Sequence, residues 1–146
     1  MKILFSMLLA SFLIVANPTW LTNFDTAKKE AAQSGKLILI NFSGSDWCGP
    51  CIRLHKEVFE SEAFEQYAAA HLVLVNADFP RLKKNQLSKE QTKQNEALAD
   101  KYNPKGIFPY TLLVDANGKV LKTWEGFPNE SPQKFTEEVN SFTHAK

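Results

Sequence analysis

The stretch Trp47-Cys48-Gly49-Pro50-Cys51 contains the only two cysteines of the 146-residue chain and separates them by two residues. It follows the apolar run 37–42, which predicts a buried strand, so the cysteines fall on the first turn of the next predicted helix. Unpaired N–H groups and the helix dipole stabilise a thiolate at that position. We therefore expect a lowered pKa for Cys48, which attacks disulfides, while Cys51 resolves the mixed disulfide.

Residues 1–16 are predicted to be a secretory signal peptide. An apolar run follows the charged start Met1-Lys2 and ends at the small residue Ala16, which suits signal peptidase. A membrane-spanning helix needs about 20 apolar residues, so the alternative is a short uncleaved anchor. We expect an exported protein, soluble in the periplasm or cell envelope after cleavage, with residues 17–146 forming one domain.

Charge and cysteine content exclude several classes of protein. The chain carries 17 basic and 16 acidic residues, so its composition does not predict binding to nucleic acid or to a charged membrane surface. Small disulfide-stabilised proteins spread several bridges over long loops, and a bridge that closes so short a loop adds little stability. The pair is therefore predicted to be redox-active rather than structural.

The remaining sequence predicts helices and strands in alternation. A helix capped by Thr22 ends at Gly35, and a broken helix follows the cysteines. Continuous apolar runs predict two buried strands, and Asn117-Gly118 predicts a hairpin between two more. The predicted strands are 37–42, 72–78, 110–114 and 119–124, with further helices near 97–102 and from Pro132. This order predicts an α/β fold in which a mixed sheet lies between helical layers.

A second motif, Gly106-Ile107-Phe108-Pro109, stands at the start of a later predicted strand. Together with Trp47-Cys48-Gly49-Pro50-Cys51 it makes the chain resemble the thioredoxin superfamily, especially exported thioredoxin-like proteins. The resemblance covers nearly all of residues 17–146 and implies a thioredoxin-like three-layer sandwich. It also implies that a redox-active disulfide between the cysteines is the only cofactor needed, with no metal.

The resemblance assigns substrate-binding roles to residues around the dithiol. Pro109 is expected to have a cis peptide bond and to face the dithiol, while the Phe108 backbone pairs with a substrate strand. An ordinary trans proline is the alternative for Pro109, and a plain turn glycine is the alternative for Gly126. Trp47 is expected to pack beside the dithiol and shield it. The implied substrate-binding residues are Trp47, Gly49, Pro50, Phe108, Pro109 and Gly126.

The sequence departs from thioredoxins proper at two positions. Where those proteins carry a buried aspartate beneath the resolving cysteine and a nearby lysine, alignment through the strands places Asn41 and Leu74. An amide cannot take the proton that Cys51 loses, so water or the departing substrate thiolate must do so. Asp46 would oppose thiolate formation weakly if it lies close, and Arg53 either lends positive potential to the thiolate or is an ordinary solvated helix residue.

Two other patterns have competing interpretations. His55 follows the cysteines at helical spacing, but a structural zinc site normally needs four ligands, so we interpret His55 as an ordinary helix residue. The basic stretch Arg81, Lys83, Lys84, Lys89 and Lys93 is either a solvated loop and helix start or a surface that recognises an acidic partner.

These observations predict a thiol-disulfide oxidoreductase, active as a monomer, that reduces disulfides of exported proteins. The Gly-Pro pair between the cysteines resembles the reducing members of the family. A reductant in an oxidising compartment needs electrons from outside it, so a membrane thiol reductase is the expected partner. The alternatives are a disulfide oxidase or isomerase, and a peptide-binding module that is not an enzyme.

Overall fold

The structure is a computed structural model that describes residues 17–144, so the predicted signal peptide at residues 1–16 lies outside the described residues. The strands are β1 (Trp20–Leu21), β2 (Leu37–Ser43), β3 (Leu72–Asp78), β4 (Tyr110–Val114) and β5 (Val120–Glu125). The α-helices are α1 (Phe24–Ser34), α2 (Gly49–Leu54), α3 (Glu62–His71), α4 (Lys89–Tyr102) and α5 (Pro132–Thr143). A π-helix at His55–Phe59 follows α2, and a 3₁₀ helix at Lys83–Asn85 precedes α4. Within residues 17–144, the helices are too short or too polar to cross a membrane.

The strands form one sheet in the order β1-β3-β2-β4-β5. β3 pairs in parallel with β1 and β2, whereas β4 runs antiparallel to both β2 and β5. This is the predicted mixed sheet, and β2 at its centre is buried along its whole length. Because β2 leads directly into α2, the cysteines lie at the carboxyl edge of the parallel strands, where open α/β sheets bind their ligands.

Helices cover both faces of the sheet because successive strand residues point to opposite faces. On one face, Leu39 belongs to a core that includes Phe64 of α3 and Phe135 of α5. On the other face, Ile40 belongs to a core that includes Ala27 of α1 and residues of α4. The predicted three-layer sandwich is therefore confirmed.

Three local features differ from the sequence-based expectations. Asn23, not Thr22, caps α1, because the Asn23 side-chain oxygen accepts a hydrogen bond from the Thr26 N–H at 2.9 Å. The sequence pattern did not predict β1, since two residues are too few to show alternation. The broken helix after the cysteines is present, but its middle section is π-helical, and five residues of helical spacing do not distinguish π from α.

A buried tryptophan joins the last strand to the last helix. Trp124, which is 9% exposed, packs against Phe135 with ring centroids 5.1 Å apart. The indole N–H of Trp124 donates to the Glu138 carboxylate at 2.8 Å, and Lys122 Nζ lies 2.9 Å from the same carboxylate. The hydrogen bond from Trp124 is the largest cause that lowers the pKa of Glu138, and the hydrogen bond and charge of Lys122 lower it further. The anionic form of Glu138 therefore stabilises the contact between β5 and α5.

We expect Glu138→Gln to lower the free energy of unfolding at pH 7 by about 1 kcal/mol, because a neutral amide binds the indole N–H and the ammonium more weakly than a carboxylate does. A carboxyl whose pKa is lowered on folding stabilises the protein above its unfolded pKa, about 4.3 for glutamate. That contribution is lost as the pH falls through the folded pKa. The difference between the two proteins should therefore shrink between pH 7 and pH 3, as measured by urea denaturation.

Glu137→Gln is the matched control, because Glu137 is an exposed neighbour on the same helix. It should leave the free energy of unfolding nearly unchanged at both pH values. If Glu138→Gln destabilises the protein equally at pH 7 and pH 3, the carboxylate is not the source of the stabilisation.

Candidate active site

Cys48 and Cys51 form a disulfide with their Cα atoms 5.2 Å apart. Cys48 is the N-cap of α2, and its sulfur accepts a hydrogen bond from the Cys51 N–H at 3.3 Å. The two cysteines are only 5% and 3% exposed, while Gly49 and Pro50 between them are exposed. The disulfide therefore lies just beneath the surface, at the first turn of α2, where the Cys48 sulfur already accepts a hydrogen bond from one of the N–H groups that the helix leaves unpaired.

The peptide bond between Phe108 and Pro109 is cis, the geometry that the family resemblance implies. The Pro109 carbonyl accepts a hydrogen bond from the Gly126 N–H at 2.9 Å, and Gly126 has a φ of 75°. The Phe108 ring packs edge-on against Trp47 with centroids 5.5 Å apart. Phe108 therefore connects the cis-proline segment, to which Gly126 is bonded, with Trp47, the residue before Cys48.

The backbone of Phe108 is available for hydrogen bonding, whereas the backbone of the preceding residue, Ile107, is already bonded to a side chain. Asn103, buried at 3% exposure, bonds both the N–H and the carbonyl of Ile107, at 2.9 and 2.8 Å. Within residues 17–144, the hydrogen bonds of loops and side chains include neither the N–H nor the carbonyl of Phe108. Asn103 was not among the predicted site residues, and its only signal in the sequence is a polar residue just before the Gly106 motif.

The position of Trp47 is fixed by two contacts. Its indole N–H donates to the Phe79 carbonyl at 2.7 Å. A side chain at Gly44 would overlap the indole ring, so this position requires a glycine because of the close approach. Phe79 also packs edge-on against Phe108 with ring centroids 5.5 Å apart. Trp47, Phe79 and Phe108 thus form one aromatic cluster beside the disulfide.

Asp46 is bound to the segment that follows β3. Its carboxylate accepts hydrogen bonds from the backbone N–H of Arg81 at 2.9 Å and of Leu82 at 3.0 Å, and from the Asn85 side chain at 3.0 Å. The hydrogen bond from the Arg81 backbone is the largest of the causes that lower the pKa of Asp46. From the sequence, Asp46 was expected only to oppose thiolate formation weakly, whereas in the structure its carboxylate holds this segment.

On the helix after the cysteines, Arg53 and His55 each contact the side chain of a glutamate. Arg53 forms hydrogen bonds with both carboxylate oxygens of Glu57, at 3.0 and 3.3 Å, and this pairing raises the pKa of Arg53. His55 lies 3.3 Å from Glu60 across the π-helix, with half of its side chain exposed. Among residues 17–144, no group of three or more histidine, cysteine, aspartate or glutamate side chains is placed to hold a metal ion.

A family model described as a thioredoxin-like domain matches residues 24–143. This chain belongs to the thioredoxin-like domain family. It is similar to the disulfide bond reductase DsbH of Chlamydia pneumoniae, with 37% identity over 106 residues, which cover 73% of this chain and 61% of that protein. The thioredoxin-related protein DsbJ of the same organism is 29% identical over 112 residues, which cover 77% of this chain and 31% of that protein.

A solved structure of a DsbH oxidoreductase is 33% identical to this chain and has a TM-score of 0.79 against it. The similarity covers 90% of this chain and 88% of the solved one. The chain spans less than two thirds of the length of either Chlamydia protein. Residues 17–144 therefore share the thioredoxin-like fold with the solved DsbH structure.

In this thioredoxin-like domain the sheet beneath α2 carries a neutral polar pair. Asn41 shares a face of β2 with Leu39, and its side-chain N–H donates to Thr111 Oγ1 at 3.0 Å. Leu74, which registers with Leu39 across the sheet, is 1% exposed and apolar. The buried polar residues within 17–144 are Asn41, Ser43, Asn95, Asn103, Thr111 and Thr136, and all of them are uncharged. Residues 17–144 therefore offer no buried carboxylate that could accept a proton from Cys51.

We expect Asn41→Asp to speed resolution of the mixed disulfide near neutral pH, because a carboxylate on this face of β2 can accept the Cys51 proton. The gain should be about tenfold, less than the roughly hundredfold or more that a general base typically contributes, because water and the departing thiolate already accept the proton in the wild type. Single-turnover decay of a mixed disulfide on Cys48 measures the rate, with urea denaturation as the check that the variant folds.

Thr111→Ser keeps a hydroxyl beside Asn41 and adds no carboxylate, so it serves as the control and should resolve at the wild-type rate. A folded Asn41→Asp variant that resolves more slowly than the wild type would show that the missing acid does not limit this step.

Proposed function

We propose that this protein is a thiol-disulfide oxidoreductase that reduces disulfides in exported proteins. The observation that carries the proposal is the Cys48–Cys51 disulfide at the N-terminus of α2, together with the cis Phe108–Pro109 bond, since the Phe108 ring packs against Trp47, the residue before Cys48. A fixed pair of sulfurs next to an open backbone segment can bind a polypeptide and exchange electrons with its disulfide. The similarity to a protein named as a disulfide bond reductase supports the same activity.

The reaction follows from the different positions of the two sulfurs. The Cys48 thiolate attacks one sulfur of the substrate disulfide, forming a mixed disulfide and releasing the other substrate sulfur as a thiolate. The Cys51 thiolate then attacks Cys48, which breaks the mixed disulfide and releases the second substrate thiol. The substrate gains two electrons and two protons, and the protein ends with its Cys48–Cys51 disulfide.

Substrate binding is assigned to the residues beside the dithiol. The open N–H and carbonyl of Phe108 can pair with an extended substrate segment, as an added strand does at a sheet edge. Trp47 and Phe108 supply an apolar surface next to Cys48, and Gly126 holds the Pro109 carbonyl in place. Gly49 and Pro50 are exposed over the disulfide and can contact the substrate without blocking the sulfurs.

Reduction requires a source of electrons for each turnover. The Gly49-Pro50 pair and the reductase name of the similar DsbH favour the reducing direction. We propose export to the periplasm or cell envelope, where a membrane thiol reductase would return the Cys48–Cys51 disulfide to the dithiol. In this scheme the two cysteines are the only redox group, and the exported disulfide proteins are the substrates.

We expect Cys48→Ser to abolish insulin reduction in the presence of dithiothreitol, because a serine hydroxyl cannot form the mixed disulfide. In a single turnover without dithiothreitol, the reduced Cys51→Ser variant should make the first attack but not resolve it, so it accumulates a mixed disulfide with insulin that gel electrophoresis without reductant detects. A Cys48→Ser protein that reduces insulin at the wild-type rate above the dithiothreitol background would contradict the assigned chemistry.

The direction of electron flow is measured by acid-quenched thiol trapping in the native compartment. If the protein works as a reductase, a membrane donor keeps it supplied with electrons, and Cys48 and Cys51 should be mainly reduced. Loss of the donor should shift the pair to the disulfide. A mainly oxidised pair in cells that contain every membrane reductase would instead identify a disulfide oxidase.

A further inference from the structure

The segment 79–86 is attached to the active site at three points. Its first residue, Phe79, accepts the indole N–H of Trp47 at 2.7 Å, and Asp46 binds the backbone N–H groups of Arg81 and Leu82. The Phe79 ring packs against Phe108, whose backbone is open for a substrate strand. We name residues 79–86 the basic loop; it lies next to Trp47 and Phe108, the residues that supply the proposed substrate surface, and we call this side of the loop its wall.

The basic loop presents positive charge at this wall. Residues 79–88 include Arg81, Lys83 and Lys84 and contain no acidic residue. All three basic residues are exposed, and the ion pairs found within residues 17–144 include none of them. The Arg81 guanidinium lies 3.6 Å from the centroid of the Trp47 ring, which places this charge directly beside the residue before Cys48.

Within residues 17–144, the two carboxylates bonded to the backbone at this segment form no ion pair with its basic side chains. Asp46 uses both oxygens to accept hydrogen bonds from the loop backbone and from Asn85. Asp78 accepts the backbone N–H of Ser45 at 2.9 Å and that of Phe79 at 3.0 Å. These acids order the loop through its N–H groups, and the arginine and lysine side chains remain free for a ligand.

We propose that the basic loop binds acidic side chains of the polypeptide whose disulfide is reduced, close in sequence to its cysteine. The inference rests on the proposed function, since the substrate strand is placed by Phe108. Arginine and lysine bind carboxylates through charge-assisted hydrogen bonds, and a guanidinium held over an indole loses little further freedom on binding. Leu82, 48% exposed between the basic residues, adds an apolar contact for the same segment.

The experiment compares two synthetic disulfide-linked peptides of equal length, one with glutamates and one with glutamines flanking the cysteines. Each kcat/KM is divided by the rate of chemical reduction of that peptide by dithiothreitol, which removes intrinsic differences in reactivity. We expect the wild type to prefer the acidic peptide by about tenfold at low salt. The preference should decline as the salt concentration rises, because the charges are exposed.

The variant Arg81→Gln/Lys83→Gln/Lys84→Gln should lose this preference, so that its normalised kcat/KM becomes equal for the two peptides. The variant Lys83→Gln/Lys84→Gln keeps Arg81 over Trp47, so it should lose part of the preference while reducing the glutamine peptide at the wild-type rate. The control Lys29→Gln/Lys119→Gln/Lys134→Gln makes the same change in net charge at exposed positions outside the basic loop and should keep the full preference.

Equal rates for the two peptides with the wild type, or a preference that survives in both loop variants, would overturn the assignment of the basic loop while leaving the dithiol chemistry intact. Failure of the wild type to reduce either peptide would instead overturn the proposed function, and this inference with it. The glutamine peptide therefore separates the two kinds of failure.

Discussion

The parallel pairing of β2 with β3 is the constraint on which the site depends. Its register places Ser43 beside Asp78, so the segments that leave the two strands emerge side by side. One segment carries Asp46, Trp47 and Cys48, and the other begins at Phe79. Two hydrogen bonds then join the segments: the Trp47 indole donates to the Phe79 carbonyl, and the Arg81 backbone N–H donates to Asp46. Both can form because the strand register brings the segments together. The disulfide is held by α2, but its surroundings come from this edge of the sheet.

The same register explains which parts of the site could be predicted from the sequence. The cysteine motif after an apolar strand and the hairpin at Asn117-Gly118 are local signals, and local signals set local structure. The contacts of Asp46 join it to backbone N–H groups more than thirty residues away, at 35 and 36 positions. Backbone donors are present in almost every residue, so no pattern of side chains marks these partners. The contacts of Asp46 could therefore be found only from the structure, in which the pairing of β2 with β3 brings the two segments together.

The interior of the site is neutral for a related reason. A buried carboxylate loses its hydration and costs free energy unless it is paired, whereas the Asn41–Thr111 hydrogen bond satisfies both groups without a charge. Asn41 registers with Thr111 across the β2–β4 pair, so the partner is supplied by the sheet itself. Residues 17–144 thus avoid the cost of a buried acid, and in the proposed reaction the Cys51 proton leaves through water or the departing substrate thiolate.

With a neutral interior, the charges proposed to act on a substrate lie at the exposed rim of the site. The chain as a whole has a formal net charge of only +1, so its long-range field is weak. Screening at physiological salt limits exposed charges to about 8 Å, so in the proposed role Arg81, Lys83 and Lys84 would act on a polypeptide only after it lies beside the loop. They would then select and orient a bound segment rather than draw partners from a distance. Selectivity would therefore arise at the basic loop, while the chemistry stays with the cysteines.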